Sequence, residues 1–182
     1  MVISMKKALL VVDMLNDFIN QDGALFCGPT AQQIVPFVKA RIEEYRASGY
    51  PVIFLCDAHD WDDEEFKRFP RHCVIGSYGA KIINELNFTQ GTDALVVKTR
   101  YSGFYNTSLE FTLQVHFGLK PENSVIEVAG VCTSICVMDT VGDLANRNYP
   151  TVIHQNCVAD FDQEMDNMAI KRMSALYGTE II

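Results

Sequence analysis

Short apolar runs alternate along this chain with longer stretches in which apolar residues recur every three or four positions. The short runs predict strands at Ala8–Val12, Val52–Cys56, Ala94–Val97, Val125–Val128, Thr151–His154 and Thr179–Ile182. The longer stretches predict helices over Thr30–Ser48, Ile82–Leu86 with its flanks, Ser108–Phe117, Ser134–Asn146 and Gln163–Tyr177. Gly49, Gly118 and Gly178 each follow a helical run, where a left-handed cap is wanted. The strands hardly alternate between apolar and polar residues, the pattern of a parallel sheet covered on both faces. Strand–helix alternation with right-handed crossovers then gives a three-layer α/β/α domain around a six-stranded, mainly parallel, doubly wound sheet. No repeat or linker divides the chain, so residues 1–182 are expected to form a single domain. The stretch from Asp57 to about Ala80 is too long for a connector and is a functional-loop candidate.

Composition narrows the function. A formal net charge of −8 argues against nucleic acid, whose binding needs clustered Lys and Arg. No stretch is long and apolar enough to span a bilayer, and Lys6-Lys7 precede too short an apolar run for a secretory leader. The six cysteines are dispersed at positions 27, 56, 73, 132, 136 and 157. A cytoplasmic protein with reduced thiols is therefore expected. The acidic run Asp60, Asp62, Asp63, Glu64, Glu65, broken by Trp61, has the composition of a solvated loop.

Three predicted strand ends carry complementary chemistry. The first ends in Val-Val-Asp13, the third in Val-Val-Lys98, and the fourth leads through Ala129-Gly130 into Cys136. A cysteine at the first turn of a helix gains from the backbone N–H groups and the helix dipole, which favour a thiolate. Parallel sheets gather their strand ends on one edge, where the ligand crevice lies. A carboxylate there can take a thiol proton, and an ammonium can stabilise the resulting anion. The plainer readings are a buried structural cysteine and a buried Asp13–Lys98 ion pair; the pairing is expected in either case.

A second cluster follows the second strand: Asp57-Ala-His59, then Glu65, then His72. Imidazole with carboxylate suits a divalent ion such as Zn²⁺, Fe²⁺ or Mn²⁺. Spacing alone leaves open whether this is a metal site or an acidic loop that happens to contain histidines.

Taken together, these segments resemble the isochorismatase-like cysteine hydrolases, and among them the nicotinamidase (pyrazinamidase) branch. The resemblance rests on Ala-Leu-Leu-Val-Val-Asp13-Met-Leu-Asn-Asp17-Phe18, Asp57-Ala-His59, Phe69-Pro70-Arg71-His72, Lys98-Thr-Arg-Tyr101-Ser-Gly and Gly130-Val-Cys-Thr-Ser-Ile-Cys136-Val. It implies a Rossmann-like fold and a catalytic triad of Asp13, Lys98 and Cys136. It also implies a cis peptide between Val131 and Cys132 and an oxyanion hole from the backbone N–H groups of Cys132 and Cys136. It implies metal ligation by Asp57, His59, Glu65 and His72, with zinc favoured over iron or manganese. Phe18, Phe69 and Tyr101 match positions that wall the pocket around a flat ring. The implied activity is hydrolysis of a small-molecule amide through a thioester, with nicotinamide the leading substrate, by a chain that forms homo-oligomers.

Many relatives have Asp where Ser134 stands, so a hydrogen bond near the nucleophile is expected to differ. Arg71 and Arg100 are candidates to bind a carboxylate, which would favour an N-carbamoyl or ureido substrate instead. A Cys132–Cys136 disulfide is the alternative use of that spacing. A receiver-like or ligand-binding α/β module, using Asp13, Asp57 and Lys98, is the alternative outside enzymes.

Overall fold

The computed structural model describes residues 5–182. Its core is a sheet of strands β1 (Lys6–Val12), β2 (Val52–Asp57), β3 (Ala94–Lys98), β4 (Ser124–Val131), β5 (Thr151–Ile153), β6 (Val158–Ala159) and β7 (Glu180–Ile181). The order is β3-β2-β1-β4-β5-β7, and every pairing is parallel. The sheet thus has seven strands where six were expected. The addition is the two-residue β6, which pairs with β4 at Gly130 and Val131, beyond the β5 pairing at Ile126 and Glu127.

The helices are α1 (Asn16–Ile19), α2 (Pro29–Gln33), α3 (Val35–Ala47), α4 (Leu109–Phe111), α5 (Met138–Asn146) and α6 (Gln163–Tyr177). The expected single helix Thr30–Ser48 is broken at Ile34, because Pro36 in the first turn of α3 lacks the N–H that a continuous helix would need. The expected helix around Ile82–Leu86 is only a 3₁₀ turn at Asn84–Leu86, ended by Asn87 in the left-handed conformation. The run Ser108–Phe117 and the start of Ser134–Asn146 both contain wider, π-type turns, at Thr112–His116 and Thr133–Val137.

Successive residues of β1 divide between two apolar layers. Leu9 and Val11 pack with Val38 and Ile42 of α3; Ala8, Leu10 and Val12 pack with Val141 and Leu144 of α5 and Met173 of α6. Coverage fails at the edge: Leu95 and Val97 of β3 are 50% and 57% exposed, so this strand departs from the expected two-sided burial.

The register sets out the site. Val12 lies beside Leu55 and Gly130, and Asp57 lies beside Lys98, so the carboxyl ends of β1, β2, β3 and β4 share one edge. The chain visits β2 and β3 on one side of β1 and then crosses to β4 on the other. This reversal opens a crevice at the strand ends. Gly130 allows the close approach there: a Cβ at that position would lie 2.0 Å from the Val12 carbonyl oxygen.

Candidate active site

Asp13 is the first residue past β1 and is 1% exposed. Its backbone is left-handed, at φ 52°, an uncommon state for a non-glycine residue and one found at functional sites. The Asp13 N–H donates to Leu55 O at 2.9 Å, and Asp13 Oδ1 accepts the Asp57 N–H at 2.9 Å. Lys98, the last residue of β3, has a fully buried side chain. Its Nζ lies 2.7 Å from Asp13 Oδ2, 2.5 Å from Asp57 Oδ1 and 3.4 Å from Cys136 Sγ. Cys136 lies in the turn Thr133–Val137 that joins β4 to α5.

The electrostatics follow from burial and pairing. Burial pushes the Asp13 carboxyl up to about 6, helped by neighbouring Asp57 and opposed by Lys98. Burial would lower the Lys98 ammonium, but the Asp13 and Asp57 carboxylates more than offset this and hold it well above its ordinary value. Burial also raises the Cys136 thiol; Lys98 opposes that rise, and the carboxylates of Asp13 and Asp57 reinforce it. The resting arrangement is therefore a thiol beside a carboxylate poised to accept its proton, with a fixed cation touching both.

Asp57 links this group to the second cluster. Its Oδ1 faces Lys98, while its Oδ2 lies 3.6 Å from His59 Nε2 and 4.0 Å from His72 Nε2. One ligand atom each from Asp57, His59 and His72 falls within a span of 4.8 Å. Glu65 Oε1 is 3.9 Å from His72 Nε2. His59 Nδ1 is 3.1 Å from Asp63 Oδ2, and His72 Nδ1 is 2.7 Å from the Pro70 carbonyl. Each bond places the proton on Nδ1, leaving the Nε2 lone pairs turned toward Asp57. His59 Nε2 and Glu65 Oε2 are buried and have no hydrogen-bond partner. Two such unpartnered atoms, in a cluster of imidazole and carboxylate side chains, fit a divalent cation.

The isochorismatase domain matches residues 7–182 of this sequence. The chain belongs to the isochorismatase family. It is similar to the crystal structure of the nicotinamidase/pyrazinamidase PncA from Bacillus subtilis, at 34% identity and a TM-score of 0.88, covering 97% of this chain and 99% of that one. The N-carbamoylsarcosine amidase from Thermoplasma acidophilum is similar at 33% identity and a TM-score of 0.84, covering 97% and 95%. The pyrazinamidase of Pyrococcus horikoshii, solved in complex with zinc, is similar at 27% identity and 0.88, covering 97% and 98%.

In this isochorismatase-family hydrolase both clusters border one pocket of about 360 Å³, with Lys98 and His59 behind its lining. Asp13, Asp57, Glu65, His72, Cys132 and Cys136 line it, with Phe18, Phe69 and Tyr101 on its walls. Leu25, Phe26 and Phe161, which the sequence had not marked, also line it. Phe161 follows β6, the strand missed in the sequence, so its place at a strand end was hidden.

The Val131–Cys132 peptide is cis. Cys132 Sγ lies 3.0 Å from Cys27 Sγ, whereas Cys136 Sγ faces Lys98, so the two cysteines of the turn point to different partners. Ser134 is held through its main chain. Its backbone N–H donates to Asp160 Oδ2 at 2.8 Å, so a carboxylate just past β6 secures the turn that carries Cys136. Neither arginine considered as a carboxylate binder lines the pocket. Arg71 stacks 4.1 Å over the exposed Trp61 ring, and Arg100 pairs with Asp63 at 3.0 Å. Asp63 is itself a residue the sequence left in the acidic run. It accepts bonds from His59, the Glu65 N–H and Arg100, which hold its carboxyl down at about 2 against the opposing effect of burial.

Proposed function

We propose that this family member is a metal-assisted cysteine amidase, converting nicotinamide to nicotinate and ammonia. The observation that supports the choice of substrate is the pocket lining: aromatic and aliphatic walls, carboxylates and an imidazole, with no lysine or arginine among the residues that line it. A flat neutral amide suits that lining. A substrate bearing its own carboxylate, such as an N-carbamoyl amino acid or a ureido acid, would meet Asp13, Asp57 and Glu65, while the nearby Lys98 ammonium is already paired with Asp13 and Asp57.

In this reading Asp13 takes the Cys136 proton and Lys98 stabilises the charged pair. The thiolate attacks the amide carbonyl carbon, and the carbonyl electrons move onto oxygen, held by the backbone N–H groups of Cys132 and Cys136. Collapse of this intermediate breaks the C–N bond as Asp13 returns its proton to the departing nitrogen, releasing ammonia. Asp13 then takes a proton from water, whose oxygen attacks the thioester, and the acid leaves as the thiolate is regenerated and reprotonated. Asp57, His59 and His72, with Glu65 beside them, would hold the divalent ion, zinc being favoured. When bound, that ion supplies a Lewis-acid contact that orients the substrate ring. Phe18, Phe69 and Tyr101 restrict the ring to the plane between the walls.

The test is ammonia release from nicotinamide, N-carbamoylsarcosine and ureidoacrylate by the zinc-loaded protein. Nicotinamide is expected to be the preferred substrate, and Cys136→Ala to abolish turnover. Preference for a carboxylate-bearing substrate would overturn the substrate assignment, and activity retained by Cys136→Ala would overturn the covalent route.

A further inference from the structure

We propose that Cys27 and Cys132 form a dithiol modification site, which a peroxide entering the pocket converts to a disulfide. The two residues are 105 positions apart in sequence, yet their sulfurs are 3.0 Å apart. Both are buried, at 2% and 8% exposure, and both line the pocket, which gives a small oxidant a route to them. Both backbones are anchored by hydrogen bonds. The Cys27 N–H donates to Phe18 O at 2.9 Å, while Cys132 O accepts the N–H groups of Ile135 and Val137 at 3.1 and 3.2 Å. The Cys27 thiol also donates to Leu25 O at 3.6 Å, which completes a relay from Cys132 through Cys27 to the backbone. Of the four remaining cysteines, three have thiols that face other groups: Cys136 meets Lys98, Cys73 meets Gly79 O and Cys157 meets Asn156.

The reaction balances with a hydroperoxide as oxidant. Two S–H bonds and the O–O bond break, and one S–S bond forms. The two electrons lost by sulfur reduce the peroxide, which leaves with the two thiol protons as an alcohol (or water) and water. The product joins the loop that carries Leu25 and Phe26 to the residue before the nucleophile's turn. The effect on turnover rests on the proposed function, in which the Cys132 N–H holds the oxyanion. Displacing that donor is expected to cost about tenfold or more in rate, recovered by a dithiol reductant.

The experiment treats the zinc-loaded protein with hydrogen peroxide, alkylates under denaturing conditions and maps the digest by mass spectrometry. The expected result is a Cys27–Cys132 cross-linked peptide, in wild type and equally in Cys136→Ala, where the competing nucleophile is absent. Cys27→Ser is expected to yield no such peptide. Recovery of Cys27 and Cys132 as separate alkylated thiols after peroxide exposure, or a disulfide between any other pair, would overturn the inference. The map is independent of turnover. A cross-link found alongside an active Cys136→Ala would refute the amidase mechanism alone, and a missing cross-link with an inactive Cys136→Ala would refute this inference alone.

Discussion

The two sides of the pocket are built by different means. On the sheet side, Asp13 and Lys98 stand at strand ends whose positions are set by paired backbone ladders, and Cys136 follows a third. On the loop side, residues 58–80 contain no strand of the sheet, only a His59–Val74 bridge and the 3₁₀ turn Glu64–Lys67. The imidazoles there are aimed by individual contacts, His72 by the Pro70 carbonyl at 2.7 Å. Asp63 holds His59, Phe66 packs on both rings at 5.4 and 5.5 Å, and Phe18 packs on His72 at 5.5 Å. Asp17 and Asn16 reach over from α1 to hold the loop at Cys73, Tyr78 and Lys81. Many ladder bonds share the load on one side and single contacts carry it on the other, so point substitutions should separate the two.

Lys98 is the residue that belongs to both sides, and its removal should have the largest effect. Lys98→Met leaves the Asp13 and Asp57 carboxylates buried without their cation. Breaking a buried pair in this way costs about 3–5 kcal/mol of stability, read by chemical denaturation. Turnover should vanish as well. Near-wild-type stability would mean that the two sides are not bridged by this ammonium.

Asp13→Asn attacks the sheet side alone. The amide oxygen can still accept the Asp57 N–H, so the β1–β2 junction should hold. Loss of the proton acceptor should cut kcat by about a hundredfold to ten-thousandfold. Alkylation of Cys136 by iodoacetamide should move the other way. The Asp13 charge raises the Cys136 thiol and the Lys98 charge lowers it, so removing only the former should extend alkylation to lower pH. Turnover and alkylation falling together would contradict this assignment of Asp13.

Asp63→Ala should disturb the loop side and spare the sheet side. It frees His59 Nδ1, the Glu65 N–H and Arg100 at once. Removing a carboxylate that orients a ligating histidine typically lowers metal affinity about 10–100-fold. A competitive chelator titration with Zn²⁺ would read this, while Cys136 alkylation should stay within about twofold of wild type, the carboxylate acting through the ligand and not on the thiol. Unchanged zinc affinity would separate Asp63 from the proposed metal site.

The same contrast explains what could be read from the sequence. Asp13 and Lys98 were legible because each closes an unbroken apolar run, and a parallel sheet must bring such ends together. The break between α2 and α3 was legible in principle, since Pro36 interrupts the helical run. Asp63 was not. Asp60, Asp62 and Glu64 are exposed while Glu65 is buried, and only the 3₁₀ turn capped by Asp63 sorts them. Two residues of β6 are too few to show a period, which hid both the seventh strand and the place of Phe161. Leu95 and Val97 read as buried because they are apolar; nothing local in sequence reveals that β3 is an edge with one face uncovered.

The smallest expected effect lies farthest from the chemistry, at Gly79. A Cβ there would lie 2.0 Å from Asp17 Oδ2 and 2.3 Å from Oδ1. That carboxylate has no easy retreat, since it accepts the Cys73 N–H at 2.7 Å and the Ala24 N–H at 3.2 Å, while Gly79 O accepts the Asp17 N–H at 3.1 Å. Gly79→Ala must therefore shift the loop or release Cys73, at a cost of about 1–3 kcal/mol, the usual range for overpacking. Because Cys73 follows His72, the strain should reach His72 and its cluster first. Amide hydrogen exchange at Cys73 and zinc affinity should both change, while exchange in β1 and β4 should not, because their ladders do not pass through Asp17. Equal loss of protection in the loop and in those strands would show that the two sides unfold as one unit, and the distinction between them would fall.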